Sequence, residues 1–240
     1  MNFFDSKLWK KIRKNKKIFR IIHNTIGVKA RKIGLRDRVK EMKNVGLASI
    51  FEIDETLEQC GCDFFVDFGT LLGFIRSGKP MAWDYDIDFG IFLSDYFKWD
   101  DLEQRMIEKG FSLSRQFSYQ GDVTEQTYRR GNIYVDFFAH FFKDGGSYYY
   151  VYYPEEDYQY EDNKHLHARS TTTVKITGCK KLNVEGGVVH VPIEYEQYLE
   201  DVYGADWRIP QQNWKPGAFP NVKKLEVLGV LTDFEAKGSN

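Results

Sequence analysis

The stretch Asp67–Phe92, DFGTLLGFIRSGKPMAWDYDIDFGIF, decides how the rest of the chain is read. It ends in an apolar run that reads as a strand and carries two aspartates one residue apart, Asp86 and Asp88. Side chains alternate faces along a strand, so Ile87, Phe89 and Ile91 are expected in a core while both carboxylates leave together from the other face. Two anions held side by side require a cation. Upstream, Gly69 and Thr70 stand between the apolar run Phe64–Val66 and the helical-looking LLGFIR, where a small residue and a hydroxyl cap would open the first turn. Free backbone N–H groups there would receive a phosphate. A phosphate seat sixteen residues ahead of a metal-binding carboxylate pair points to phosphoryl or nucleotidyl transfer, with ions bridging protein and phosphate oxygens.

The 240 residues, 42% hydrophobic and 16% aromatic, suffice for one large globular domain or two small ones. The net charge of −1 hides a division: residues 1–43 hold 15 Lys/Arg against three acids, and the remainder carries −13. Cys60, Cys62 and Cys179 are too few and too unevenly spaced for a disulfide framework and include no C-x-x-C pair, so a reducing compartment is the simpler reading. No run of 18 apolar residues and no apolar stretch after the N-terminal charges indicates a spanning helix or secretory signal.

At 100° per residue Phe4, Leu8, Ile12, Ile18, Phe19, Ile22 and Ile26 share a face, with Trp9 at its rim and most basic residues opposite. Residues 1–33 therefore read as a basic amphipathic arm that would lie on an anionic membrane surface; a helix packed on its own domain with a solvated basic back is the alternative. Nucleic acid is not an expected partner, because the acidic remainder would repel phosphate backbones. Residues 34–240 read as a single catalytic domain.

Within it, Leu35 to Cys60 keeps a helical spacing and leads into the Phe64 strand, and Ser94 is expected to cap a helix running to Lys109. Phe111 to Tyr119 partly alternates as a strand, and a polar hairpin with Arg129, Arg130 and Gly131 leads to IYVDFFAHFF. There Ile133, Val135, Phe137, Ala139 and Phe141 form an apolar face and Asp136 lies opposite, between Tyr134 and Phe138. A carboxylate desolvated there costs several kcal/mol unless paired or metal-bound. Pairing with Arg129 or Arg130 is one use; with Asp86 and Asp88 in the same chain, a third metal ligand is the favoured one. His140 is left unassigned.

Residues 147–160 hold seven of the fifteen tyrosines, and Tyr148, Tyr150 and Tyr152 share one strand face that could stack on a sugar or base, enclose a quaternary ammonium, or simply pack. Residues 154–172 read as a polar loop over the site with His165, His167 and Arg169 available for phosphate. Asp67, at the end of the first strand, is a further candidate substrate contact. Arg76 and Lys79 are candidates for gripping donor phosphate, with solvated loop charge as the alternative. Short strands are expected around Val174 and Val188–Val191, then a helix from Pro192 to Gly204, and the tail from Asp206 reads as irregular.

GTLLGFIR, PMAWDYDIDFGI, the strand aspartate in IYVDFF and the late YLEDVYGADW together resemble the LicD/fukutin family of phosphotransferases, over roughly residues 40–210. The resemblance implies an α/β (α+β) fold, a nucleotidyltransferase-like mixed sheet flanked by helices. It implies Mg²⁺ (or Mn²⁺) on Asp86, Asp88 and Asp136, and a phosphate-holding turn at Gly69 and Thr70. Asp84 also matches an acidic family position. The implied reaction moves ribitol phosphate, glycerol phosphate or phosphocholine from a CDP-activated donor to a glycan or lipid-linked glycan acceptor; an alditol is favoured. A relative in that family carries a zinc site whose cysteines this chain lacks, so no zinc is expected. Human members carry a membrane-spanning stem, whereas the basic arm here fits a bacterial cytoplasmic enzyme, peripheral at the inner face of the membrane. The alternatives are a nucleotidyltransferase using an NTP on a sugar phosphate, protein or antibiotic, and an inactive glycan- or membrane-binding scaffold.

Overall fold

The computed structural model describes residues 28–153, 165–211 and 221–234. The expected arm, residues 1–33, lies outside them except for its last residues. Helix α1 (Val28–Glu41) runs through a π-helical turn (Met42–Gly46) into α2 (Leu47–Glu58), so the single helix expected over Leu35–Cys60 is one continuous helical rod with a bulge. Strand β1 (Phe64–Val66), α3 (Phe68–Ser77), β2 (Ile87–Phe92) and α4 (Trp99–Glu108) follow. Helix α4 starts later than Ser94 predicts: the Ser94 hydroxyl accepts from the Phe97 N–H at 3.2 Å inside a turn, and Lys98 is the N-cap.

The remaining chain is mostly strand: β3 (Ser112–Tyr119), β4 (Asp122–Arg130), β5 (Ile133–Lys143), β6 (Gly146–Tyr153), β7 (His165–Thr173), β8 (Cys179–Val184), β9 (Gly187–Pro192), helix α5 (Tyr195–Tyr203) and β10 (Val222–Asp233). Three expectations need correction. The polar hairpin before β5 conceals a whole strand, β4; the polar loop is in part strand β7; and the irregular tail contains β10. The apolar alternation of β7 and β10 is weak because both faces are partly wet, that of β4 because its buried residues Thr124, Glu125, Gln126 and Thr127 are polar, and β10 also shifts register between Lys224 and Leu228. The strand expected around Val174 is the end of β7, which stops at Thr173.

Strands β5, β4, β3, β10, β7 and β6 each pair antiparallel with the next, and β6 pairs back onto β5, so six strands close a ring. On its other edge β5 pairs parallel with β2, which pairs antiparallel with β1. The sheet is therefore mixed but mostly antiparallel, with helices few. Inside the ring the Tyr152 hydroxyl meets Thr124 Oγ1 of the unadjacent strand β4 at 2.5 Å, and its ring stacks on Phe117. Gly229 of β10 lets it through: a Cβ there would stand 2.1 Å from Tyr152 Cε1.

The main core lies where β1, β2 and β5 meet the helices. Ile87, Phe89, Ile91, Val135 and Phe137 are fully buried as the alternation predicts. They pack with Ile50, Ile53 and Leu57 of α2, Leu71 of α3, Leu102 of α4 and Leu199 of α5, each worth about 1.5–3 kcal/mol of burial. Gly90 permits a close approach on the opposite face, since a Cβ would lie 2.5 Å from Phe65 Cζ and 2.9 Å from His140 Nε2.

Candidate active site

Pairing β2 with β5 in parallel register sets Asp88 directly beside Asp136, on the face opposite the core residues. Asp86 stands just before β2, and Asp84 closes the preceding loop by accepting the Met81 N–H at 2.7 Å. The turn before α3 is pinned to the same place. The Asp67 N–H donates to the Asp88 carbonyl at 2.8 Å, and the Asp88 N–H donates to Thr70 Oγ1 at 2.9 Å. Gly69 then passes close by: a Cβ on it would lie 3.8 Å from both Asp84 Oδ1 and Asp88 Oδ2.

The expected hydroxyl cap of α3 is corrected by this geometry. Thr70 is buried and spends its oxygen on β2, while the N-cap is Asp67, whose Oδ1 accepts from the Phe68 N–H at 2.7 Å. Asp67 is fully buried, bound also by the Tyr198 hydroxyl and by His140 Nε2 at 2.8 Å. It is a scaffold residue beneath the site rather than part of its wall.

Asp84, Asp86, Asp88 and Asp136 line one side of a cavity of about 510 Å³, with Gly69 and Tyr85. The other side is aromatic: Phe68 meets Phe138 and Tyr149 edge to face, at 4.8 and 4.9 Å between ring centroids, and Tyr153 and Tyr203 continue the wall. Phe68 holds a left-handed backbone, φ 38°, to present its ring there. Arg169 lines the cavity with its guanidinium 3.9 Å from the centre of the Tyr153 ring.

The carboxylates are held against their own charge. Burial, then the neighbouring anion Asp136, pushes Asp86 up to about 7, with Arg38 and Arg115 opposing. Burial alone pushes Asp84 up to about 6 despite the Met81 N–H. Asp88 is raised well above the carboxylate range by burial and by Asp86, Asp136, Asp67 and Asp84. Asp136 is raised by burial, offset by the Thr127 hydroxyl donating at 2.5 Å and by Arg115 and Arg38. Desolvated anions that oppose one another favour a cation among them. The donors are all oxygen, which suits a hard divalent ion, Mg²⁺ or Mn²⁺. Among the described residues no group of three or more His, Cys, Asp or Glu is already placed to hold a metal ion. The aspartates therefore fit as one face of a coordination shell, with water and phosphate oxygens supplying the rest, as is usual for Mg²⁺.

Other predicted contacts lie elsewhere. Arg76 donates to the carbonyls of Trp207 and Ile209, and Lys79 is exposed; neither lines the cavity. Tyr148 stacks on Phe141 and Tyr150 on Tyr119, on the face of β6 turned from the cavity, and Tyr152 borders it with its ring inside the strand ring. His165 and His167 sit on β7 outside the lining. Sequence reasoning missed Tyr85, Tyr149, Tyr153 and Arg38. For the tyrosines of β6, strand alternation defines two faces, and the fold turns the odd-numbered one, Tyr149, Val151 and Tyr153, to the cavity.

The family described as LicD/FKTN/FKRP, nucleotidyltransferase domain, matches residues 61–192, a span that contains all four aspartates. Ribitol-5-phosphate transferase FKTN of Mus musculus is 28% identical over 195 residues, covering 78% of this chain and 37% of the mouse protein. The Homo sapiens protein of that name is 27% identical over 164 residues, 67% of this chain and 32% of its own length. Human ribitol 5-phosphate transferase FKRP is 30% identical over 95 residues, 37% and 19% of the two chains. The chain thus spans about a third of the length of the FKTN relatives.

Proposed function

Since this chain belongs to the LicD/FKTN/FKRP nucleotidyltransferase-domain family, we propose that it transfers ribitol phosphate from CDP-ribitol to a hydroxyl of a glycan or its lipid-linked precursor. The observation that carries this reading is the in-register pair Asp88–Asp136, joined by Asp86 on one desolvated cavity wall. These three residues would hold Mg²⁺ or Mn²⁺. When bound, the ion would neutralise the diphosphate and stabilise the leaving oxygens. The chain's own residues supply the rest. The aromatic wall excludes water, and Gly69 keeps side-chain bulk away from the carboxylates. The acceptor oxygen attacks the phosphorus bearing ribitol, the bond to the cytidine monophosphate oxygen breaks, and the acceptor proton passes to a carboxylate. Asp84, raised to about 6 and lining the cavity, suits that role, as does Asp136.

A second reading, transfer of phosphocholine, is favoured by one observation: Phe68, Phe138, Tyr149 and Tyr153 offer several ring faces to a quaternary ammonium. The relatives' names, ribitol-5-phosphate transferases, favour ribitol. We further propose that residues 1–33 hold the protein peripherally on an anionic membrane surface, near lipid-linked acceptors. Among the described residues no helix is long and apolar enough to cross a membrane.

The test is incubation with CDP-ribitol, CDP-glycerol, CDP-choline and the common NTPs in Mg²⁺, following nucleotide release. Cytidine monophosphate from CDP-ribitol, stopped by chelation, is expected. Release from CDP-choline alone would select the second reading. Pyrophosphate release from an NTP would replace both with a nucleotidyltransferase.

A further inference from the structure

Four carboxylates line a cavity proposed to bind a diphosphate, so the phosphate oxygens turned away from the ion need donors of their own. Of the cations nominated by sequence, Arg76 is committed to backbone carbonyls, Lys79 is exposed outside the cavity, and Arg169 lines the cavity from the aromatic wall, over the Tyr153 ring, rather than from the carboxylate wall. Arg115 acts on Asp86 and Asp136 but also on Glu125, a buried acid beside Asp136.

Arg38 of α1 is differently placed. Its guanidinium carbon lies 3.7 Å from the centre of the Tyr134 ring and 5.2 Å from that of Tyr85. Tyr134 precedes Asp136 on the same strand face, and Tyr85 separates Asp84 from Asp86, so the two rings carry Arg38 to both carboxylate segments at once. Its charge is felt at Asp86 and at Asp136. Yet among the described residues it makes no hydrogen bond or ion pair, and its Nε is buried without a partner. A buried unpaired guanidinium N–H is costly, and one seated over an aromatic ring has fewer directions open to its donors.

We propose that Arg38 is a phosphate-binding residue on the carboxylate side of this site, its guanidinium held by Tyr134 and by the cavity-lining Tyr85 to donate to the diphosphate of the donor. The proposal rests on the transfer reaction above and adds a consequence: helix α1, which precedes the matched residues 61–192, is part of the site. Stacking removes rotamer freedom before the ligand arrives, and a planar fork meets two phosphate oxygens where an ammonium meets one. Lysine is therefore a poor replacement.

The experiment measures binding of inorganic pyrophosphate and of CDP, in Mg²⁺, to the wild type and to Arg38→Ala, Arg38→Lys and Arg38→Gln, with thermal unfolding as the folding control. Arg38→Ala is expected to weaken both ligands by roughly tenfold or more, the worth of a charge-assisted hydrogen bond, and to raise KM for CDP-ribitol more than it lowers kcat. Arg38→Lys should recover only part, and Arg38→Gln, which keeps most of the stem over Tyr134, should bind as weakly as Arg38→Ala. Two results would overturn the assignment: a wild type that does not bind pyrophosphate, or Arg38 variants that bind it as tightly as the wild type while losing only thermal stability. Arg38-dependent pyrophosphate binding without turnover of any CDP compound would uphold Arg38 and sink the transfer reaction instead.

Discussion

The two walls of the cavity are built on opposite principles. The carboxylate wall comes from two neighbouring strands and the loop before one of them, and its charges are left opposing one another under burial. The aromatic wall comes from α3, β5, β6, β7 and α5, and its one lining cation, Arg169, is laid on a ring. One wall stores electrostatic strain that a bound cation can relieve; the other is comfortable as it stands. Chemistry should therefore be lost from the first wall and affinity from the second.

Asp88→Asn, Asp136→Asn and Asp86→Asn break the contrast most directly, because each removes charge without volume. Transfer is expected to fall on the order of a thousandfold in each, with losses in double variants far below the product of the singles, since residues serving one centre act as a unit. Steady-state assays with CDP-ribitol decide it, and near wild-type turnover in any one variant removes that residue from the wall.

Gly90→Ala tests the support beneath both walls. A methyl group must displace Phe65 or His140, at about 1–3 kcal/mol, so the urea midpoint should drop while far-UV circular dichroism stays native. An unchanged midpoint would mean that the Phe65–His140 packing yields freely.

A pH series sharpens the strain argument. A carboxyl raised on folding binds its proton more tightly in the folded state, so its contribution is full below about pH 4 and is lost as pH rises through about 6 for Asp84 and 7 for Asp86. In chelator the protein should melt a few degrees lower at pH 8 than at pH 5.5. Asp86→Asn should flatten that difference, and Mg²⁺ should raise Tm more at pH 8 than at pH 5.5. A Tm in chelator that does not fall between pH 5.5 and 8 in the wild type would show that the carboxylates are not strained.

The smallest effect belongs to the second wall. Tyr153→Leu removes the ring beneath Arg169 and should raise KM for CDP-ribitol only a few-fold, with kcat nearly constant, given the modest worth of a cation–π contact. A large fall in kcat would mean that this wall takes part in the chemistry.

The carboxylate wall was legible because its logic is local: alternation in IDFGIF and IYVDFFAHFF assigns faces without knowing which strands pair. The aromatic wall was legible only as a tyrosine-rich strand, since alternation cannot say whether Tyr148, Tyr150 and Tyr152 or Tyr149, Val151 and Tyr153 face the cavity; ring closure decides that. Thr70 looked like a cap because a hydroxyl after a strand usually is one, and only the β2 backbone, eighteen residues on, reveals its partner. Arg38 carried no signal, because its place depends on how α1 crosses β5. Strand β10 was hidden by Lys223, Lys224 and Gly229, the last present to admit Tyr152.

That strand gives the fold a timetable. During synthesis β3 leaves the ribosome about a hundred residues before β10, which must then slot between β3 and β7 to complete the ring. Such distant pairing is slow, because the chain must lose loop entropy before any contact repays it. Asp88 and Asp136 can find each other early, and β6 and β7 can follow by pairing out from β5, but the ring stays open until Val222–Asp233 arrives. A nascent chain halted before β10 would hold its aspartates on an open sheet, with no closed ring to set the wall opposite them.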